Sequence, residues 1–322
     1  MNTENKLKAV FVSGTDTGCK FISEIEKLDF LDMVLVVTGP DRQCGRGRKI
    51  KQAPVAEYCG LKEQAVFQPE DINSGSSVTR LTESGADIAV VVDYGQILAG
   101  EVLGIFGRGA YNLHYSILPD LRGPEPVRWA LLKGYRETGV TLMKMDERID
   151  TGSMISKSLI TIEETDDYGI LKDKLTGEAV KMLTGFLESL HSGMKTAAIS
   201  QKPLENMSYA GKLDPAIYHA DWSLPAEELF NRIRALSPAP ACRSSISDRM
   251  IKIMSAGLCV EVEGTPGTVT EVSRNSFTVA CAHGGISILR LQPEGKRVME
   301  TAEFLLGNPL EPGQKMRETG KI

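Results

Sequence analysis

The chain has no run of eighteen apolar residues, and its first residues, Met1-Asn2-Thr3-Glu4-Asn5-Lys6, lack the basic-then-apolar layout of a signal peptide. A membrane-spanning helix is excluded, and a cytoplasmic location is expected. The six cysteines, at 19, 44, 59, 242, 259 and 281, include no Cys-x-x-Cys pair, which argues against a zinc site or a disulfide scaffold and for free thiols that fill the core. Four histidines, at 114, 191, 219 and 283, are too dispersed for a metal cluster, so no metal is expected. A net charge of −5 argues against a surface that coats nucleic acid throughout, but leaves room for one basic patch.

What is present is ordinary in bulk: 42% hydrophobic and 25% charged residues, in 322 residues that are long for one core and suit two domains. From Leu7 to about His191, short β-branched runs alternate with helix-like stretches. Lys8 to Val12, Met33 to Val37, Asp87 to Val92 and Gly109 to His114 read as strands, and Phe21 to Lys27 and Tyr168 to Leu190 as helices. The pattern predicts an α/β domain, Rossmann-like, with a mostly parallel sheet and helical crossovers. Ligands of such sheets sit beyond the carboxyl ends of the strands, where Asn112 and His114 fall.

The aperiodic stretch from Met194 to Lys212 reads as a linker. Ser223 is placed to cap a helix whose Leu229, Ile233 and Leu236 line one face. Short strands separated by Gly264-Thr265-Pro266-Gly267 and Gly284-Gly285 follow, implying a smaller, OB-like antiparallel β-barrel. The expected organisation is a catalytic domain at 1–192, a linker at 193–213 and a barrel domain at 214–322.

The chemistry concentrates in Asn112-Leu113-His114-Tyr115-Ser116-Ile117-Leu118-Pro119, followed by Arg122-Gly123, Thr138-Gly139-Val140-Thr141 and Asp150-Thr151-Gly152. An amide and an imidazole at i and i+2 of one strand project from the same face and can reach one oxygen. A carboxylate delivered by a loop can hold the imidazole and accept a proton. Acyl or formyl transfer between nitrogens needs these groups, because it passes through a tetrahedral carbon bearing an oxyanion while the attacking amine loses a proton.

These motifs together resemble the folate-dependent formyltransferases. The resemblance implies that Asn112, His114 and Asp150 are the catalytic trio and that 10-formyltetrahydrofolate is the co-substrate. It assigns Ser116, Ile117, Leu118 and Pro119 to a loop at the folate donor, and Gln96, Ile97 and Leu98 to the wall of the pterin pocket. The first loop, Ser13 to Cys19, is longer than the family's usual Gly-Thr-Pro-x-Phe turn, and Ser237 to Cys242 lacks a tryptophan common between its prolines.

Two further segments choose within the family. Arg42, Arg46, Arg48, Lys49 and Lys51 set five cations against Asp41 alone over eleven residues, with Gly45 and Gly47 between them, a composition suited to an irregular polyanion. Repulsion among these side chains predicts a poorly ordered loop. The segment resembles the basic loop of the family members that act on methionyl-tRNA, as do Tyr209-Ala210-x-Lys212-Leu213, Asp221-Trp222, Asn231 to Ala235 and Leu291 to Lys296. By that resemblance, Lys212 joins the five cations of the loop in binding tRNA. The implied reaction is formylation of methionine on initiator tRNA, for translation initiation, by a monomer. The alternative is an N-formyltransferase acting on an amino-sugar nucleotide, which needs the same trio without the basic loop. From Met207 to Ile322 the charges balance, so any tRNA patch there must arise by clustering.

Overall fold

The computed structural model describes residues 6–44, 49–194, 196–202, 207–247 and 249–317. They form two compact units. One comprises Met1–Gly123, Gly139–Ile160 and Lys174–Tyr209, the other Pro124–Thr138, Thr161–Asp173 and Ala210–Ile322.

In chain order the first elements are β1 (Leu7–Ser13), α1 (Thr17–Ile25), β2 (Leu31–Val37), β3 (Arg42–Cys44), β4 (Lys49–Lys51), α2 (Pro54–Gly60) and β5 (Val66–Phe67). There follow α3 (Gly75–Glu83), β6 (Ile88–Val92), α4 (Gly100–Gly104), β7 (Ala110–His114), α5 (Pro126–Leu132), β8 (Glu137–Lys144), β9 (Ser153–Thr161) and α6 (Tyr168–His191). The main sheet runs β5-β2-β1-β6-β7-β8-β9. It is parallel from β5 to β7, and β8 turns back antiparallel to β7, with His114 opposite Thr141 and Asn112 opposite Met143.

Strand alternation decides what each face does. Val10, Val12, Leu35, Val37, Ala89, Val91 and Ala110 pack on one face with Ile72, Leu81, Leu98 and Val102. On β7 the residues in phase with Ala110 are Asn112 and His114, so both belong to this face. Tyr111 points the other way and meets Phe186 of α6, ring centroids 4.6 Å apart. Helix α6 buries Leu175, Ala179, Leu183 and Leu187 at four-residue spacing and ends at His191, two residues before Gly193, whose φ of +75° suits a residue without Cβ.

Two readings of the sequence need correction, the start of the first helix and the cap at Ser223. Helix α1 starts at Thr17, ahead of Phe21. The basic loop is a hairpin over its described residues, with Arg42 opposite Lys51 and Gln43 opposite Ile50; Gly45, Arg46, Gly47 and Arg48 lie outside them. Its base is tied by Asp41, whose carboxylate accepts from Ala53 N at 3.1 Å and Gln68 Nε2 at 2.8 Å, bonds that hold its carboxyl below the ordinary range. Within the stretch read as a linker, Ile199 and Met154 exchange backbone hydrogen bonds of 2.9 Å.

In the second unit, a 3₁₀ turn (Pro215–Tyr218) precedes α7 (Ala226–Leu236) and β10 (Cys242–Ile246), β11 (Arg249–Cys259), β12 (Val269–Val272), β13 (Phe277–Ala280) and β14 (Gly285–Pro293). The chain ends with β15 (Met299–Glu300), α8 (Thr301–Gly307) and β16 (Met316–Arg317). The antiparallel order is β12-β13-β14-β11-β10-β16, and a bridge from Thr268 to Lys315 joins its two ends, curling the sheet into a barrel. Trp222, Leu229, Ile233, Ile251, Phe277 and Ile288 lie in its core. Ser223 does not cap α7. Its N–H and hydroxyl are turned onto Asp221 Oδ1, Pro225 takes the cap position, and the first helical N–H, of Ala226, donates to His283 O at 2.9 Å.

Candidate active site

Because β6 and β7 are parallel neighbours, the segments after them, 93–99 and 115–123, leave the same edge of the sheet. Leu98 is buried in the cluster under the face that carries Asn112 and His114. Leu118 packs with Met143 and Met154, and Met143 stands opposite Asn112 on β8. Both segments therefore border one face.

His114 is 6% exposed and both ring nitrogens are placed. Nε2 lies 2.9 Å from Leu121 O; a carbonyl can only accept, so Nε2 carries a proton and is occupied. The open nitrogen is Nδ1, 3.6 Å from Asp150 Oδ1. The expectation that the imidazole reaches a reacting oxygen thus narrows to Nδ1. The half-buried Asn112 side chain makes no hydrogen bond among the described residues, leaving its amide donors available beside the ring.

Backbone conformations that side chains rarely adopt hold this pair. Leu121 and Asp150 both have positive φ, +55° and +52°, each costing of order 1–3 kcal/mol that surrounding bonds must offset. Leu121 N donates to Ser208 O at 2.9 Å, and Asp150 Oδ2 accepts Gly123 N at 2.8 Å. Thr141, fully buried, donates to Ser116 O at 2.7 Å and accepts from Leu118 N at 3.1 Å, fixing the loop after β7 to β8. Ser116 itself donates to Asp120 O at 2.6 Å. Lys157 of β9 donates to Leu118 O, and burial lowers its ammonium pKa.

The glycines of the two downstream motifs are close-approach positions. A Cβ on Gly139 would lie 2.0 Å from Ser158 O, and one on Gly152 1.9 Å from Lys144 O. They let β8 and β9 and the turn at Asp150 pack backbone to backbone.

Gln96 accepts from Ile72 N at 2.9 Å and donates to Glu70 O at 3.1 Å, bracing the segment after β6. Ile97 next to it is 56% exposed although aliphatic. A cavity of about 460 Å³ opens beside this segment, lined by Gly100, Leu103, Asp146, Glu147 and Arg148. Asp146 accepts from Thr151 Oγ1 at 2.7 Å and from Arg148 N at 3.1 Å, shaping the loop that delivers Asp150. Arg42 and Lys51 are exposed on the hairpin, Lys49 pairs there through its backbone, and Lys212 is exposed in the second unit. Among the described residues, no three His, Cys, Asp or Glu side chains gather as a metal site, and no helix is long and apolar enough to cross a membrane.

Gln201, Leu121 and Thr141 were not singled out from the sequence. Thr141 sits inside a quoted motif. Gln201 carries no local signal, because its partners are 49 to 79 residues away in sequence.

The chain matches the formyl transferase family over residues 7–187 and that family's C-terminal domain over 212–309. It belongs to the formyl transferase family. Among its relatives, methionyl-tRNA formyltransferase of Caldanaerobacter subterraneus subsp. tengcongensis is 39% identical over 285 residues, covering 88% of this chain and 91% of that protein. Methionyl-tRNA formyltransferase of Paraburkholderia phytofirmans is 34% identical over 97% of this chain and 98% of its own length. In fold, the chain is similar to the N-formyltransferase from Helicobacter canadensis in complex with folinic acid and dTDP-3-aminofucose, at a TM-score of 0.64 and 18% identity, covering 89% of this chain and 99% of that one. HypX from Aquifex aeolicus in complex with tetrahydrofolic acid has a TM-score of 0.63 at 17% identity over 93% of this chain, which spans about half (47%) of HypX.

Proposed function

We propose that this formyltransferase moves a formyl group from 10-formyltetrahydrofolate to the α-amino group of methionine on initiator tRNA, a step of translation initiation in the cytoplasm. The observation that carries the reading is the His114–Asp150 pair beside the Asn112 amide, unbonded among the described residues, at the carboxyl edge of the sheet. Its support is the near-full-length relatives, whose names specify methionyl-tRNA. In this reading, 1–192 is the catalytic domain, 193–213 the linker and 214–322 the tRNA-holding barrel.

The residues assigned to the donor suit a folate in kind, since Ile97 is exposed although aliphatic and Leu98 and Leu118 are apolar. The open cavity of about 460 Å³ at Gly100, Leu103, Asp146, Glu147 and Arg148 lies beside the segment after β6 and is lined by none of these three. Gln96, Ile97 and Leu98 would wall one side and Ser116, Ile117, Leu118 and Pro119 the other. The donor supplies a formyl carbon bonded to nitrogen. Asn112 Nδ2 donates to the oxygen of the group in transfer; with Nε2 protonated toward Leu121 O, His114 Nδ1 adds a second donor only as an imidazolium, whose charge Asp150 balances, and Asp150 otherwise takes the amine proton.

The polyanion is met by Arg42, Arg46, Arg48, Lys49 and Lys51, with Lys212 on the chain leading into the barrel. On the hairpin, Arg42 and Lys51 are directly opposite, an arrangement that costs stability unless an anion neutralises it. The charge-balanced barrel has a similar cluster: Arg243 of β10 faces Lys252 of β11 on the outer face of the sheet, and Lys252 faces Gln292 of β14.

The test is an assay of purified protein with 10-formyltetrahydrofolate and either methionyl-tRNA or an amino-sugar nucleotide. Formylation of the tRNA is expected, and transfer to the sugar alone would overturn the reading.

A further inference from the structure

Asp150 is held in an unfavourable backbone conformation, φ +52°, and its usefulness depends on where its carboxylate sits relative to His114. One side chain from outside the recognised motifs grips that turn. Gln201 Nε2 donates to Asp150 O at 2.9 Å and to Gly152 O at 2.7 Å, while its Oε1 accepts from Arg122 Nε at 3.0 Å and Arg122 Nη2 at 2.6 Å. The amide orientation follows from the partners: two carbonyls can only accept and a guanidinium can only donate.

The two sides of this clamp converge on the same carboxylate. Arg122 precedes Gly123, whose N–H holds Asp150 Oδ2, and Gln201 holds the Asp150 carbonyl directly. Oδ1 is thereby left facing His114 Nδ1. Gln201 is itself located by the two-way backbone pairing of Ile199 with Met154, two residues beyond Gly152.

We infer that Gln201 is a positioning residue for formyl transfer, setting the Asp150 carboxylate against His114 through its amide. The inference rests on the reading of Asp150 and His114 as groups of the active site. A misplacement of about 1 Å can cost roughly 10²-fold in rate, so losing the clamp is expected to lower kcat by on the order of 10- to 100-fold. KM for methionyl-tRNA and affinity for the formyl donor should change little.

The experiment compares Gln201→Ala, Gln201→Glu, Asp150→Asn and the Gln201→Ala/Asp150→Asn double variant for kcat and KM, with activity referred to folate-binding sites so that unfolded protein does not count. Gln201→Glu separates the two functions of the amide: it retains an oxygen toward Arg122 but turns a second oxygen toward the carbonyls of Asp150 and Gly152. We expect both single Gln201 variants to lose kcat, and the double variant to be no slower than Asp150→Asn. A Gln201→Glu protein with wild-type kcat, or a double variant whose losses multiply, would overturn the inference. If Asp150→Asn is slow while Gln201→Ala is not, the positioning role fails and the site reading stands. If Asp150→Asn is as fast as the wild type, the site reading itself fails and takes the inference with it.

Discussion

The carbonyl of Leu121 accepts the Nε2 proton of His114 at 2.9 Å, and Leu121 presents it from a left-handed backbone position. A motif loop seven residues beyond the strand thus fixes both the plane of the imidazole and its proton, leaving one ring nitrogen for chemistry. With that nitrogen beside Asp150 and with the Asn112 side chain unbonded among the described residues, removal of a single donor should be costly while the fold is spared. Asn112→Ala is expected to lower kcat with methionyl-tRNA by on the order of 10² to 10³. Steady-state kinetics check this, alongside a far-ultraviolet spectrum that should not change.

The hairpin from Arg42 to Lys51 predicts a different kind of loss. Arg42→Ala should weaken tRNA binding and flatten the logarithmic salt slope by roughly one unit for each phosphate left without its cation. Affinity for the formyl donor should be unaffected, since no trio residue lies in the hairpin. Binding measured across a salt series checks both; an unchanged slope would remove the charge argument for a polyanionic acceptor.

Of the candidate site, the sequence made legible the part that a short-range rule governs. The i, i+2 spacing of Asn112 and His114 placed both on one face of a strand, and Ala110 in the buried cluster identifies that face. It failed where long-range bonds decide. Gln201 lies in an aperiodic stretch, and its role exists only once Ile199 pairs with Met154. The tie between Asp41, Ala53 and Gln68 beside the basic segment likewise could not be seen in composition. Ser223 had the right residue type for a cap, but Asp221 two residues earlier competed for its N–H and hydroxyl.

Gly139 gives a stability prediction with an internal control. In Gly139→Ala the new Cβ would sit 2.0 Å from Ser158 O, a backbone atom on β9 that cannot swing away, so the strands must part or shift. A loss of about 1–3 kcal/mol is expected. Gly177, inside α6, has nothing within 4 Å of its Cβ position. Gly177→Ala should instead stabilise by about 0.4–1 kcal/mol. Urea midpoints of the two variants should therefore move in opposite directions.

Buried thiols make stability fall on the alkaline side. Burial pushes the thiol of Cys59 up to about 11 and those of Cys242 and Cys281 up to about 12, from an ordinary 9.0. A raised folded-state value means that the unfolded chain loses these protons first. Above pH 9.0 the unfolded state therefore binds fewer protons than the folded one, and stability declines with rising pH until the folded values are passed. Well below pH 9.0 the three thiols contribute almost no slope. Cys242 is fully buried, so Cys242→Ala should remove its share of the decline between about pH 9 and 12 at the cost of some packing. The measurement is a urea midpoint at about pH 8 and about pH 10.5 for both proteins. The drop between the two conditions should be smaller in Cys242→Ala, and an equal drop would show that this thiol does not govern the alkaline limb.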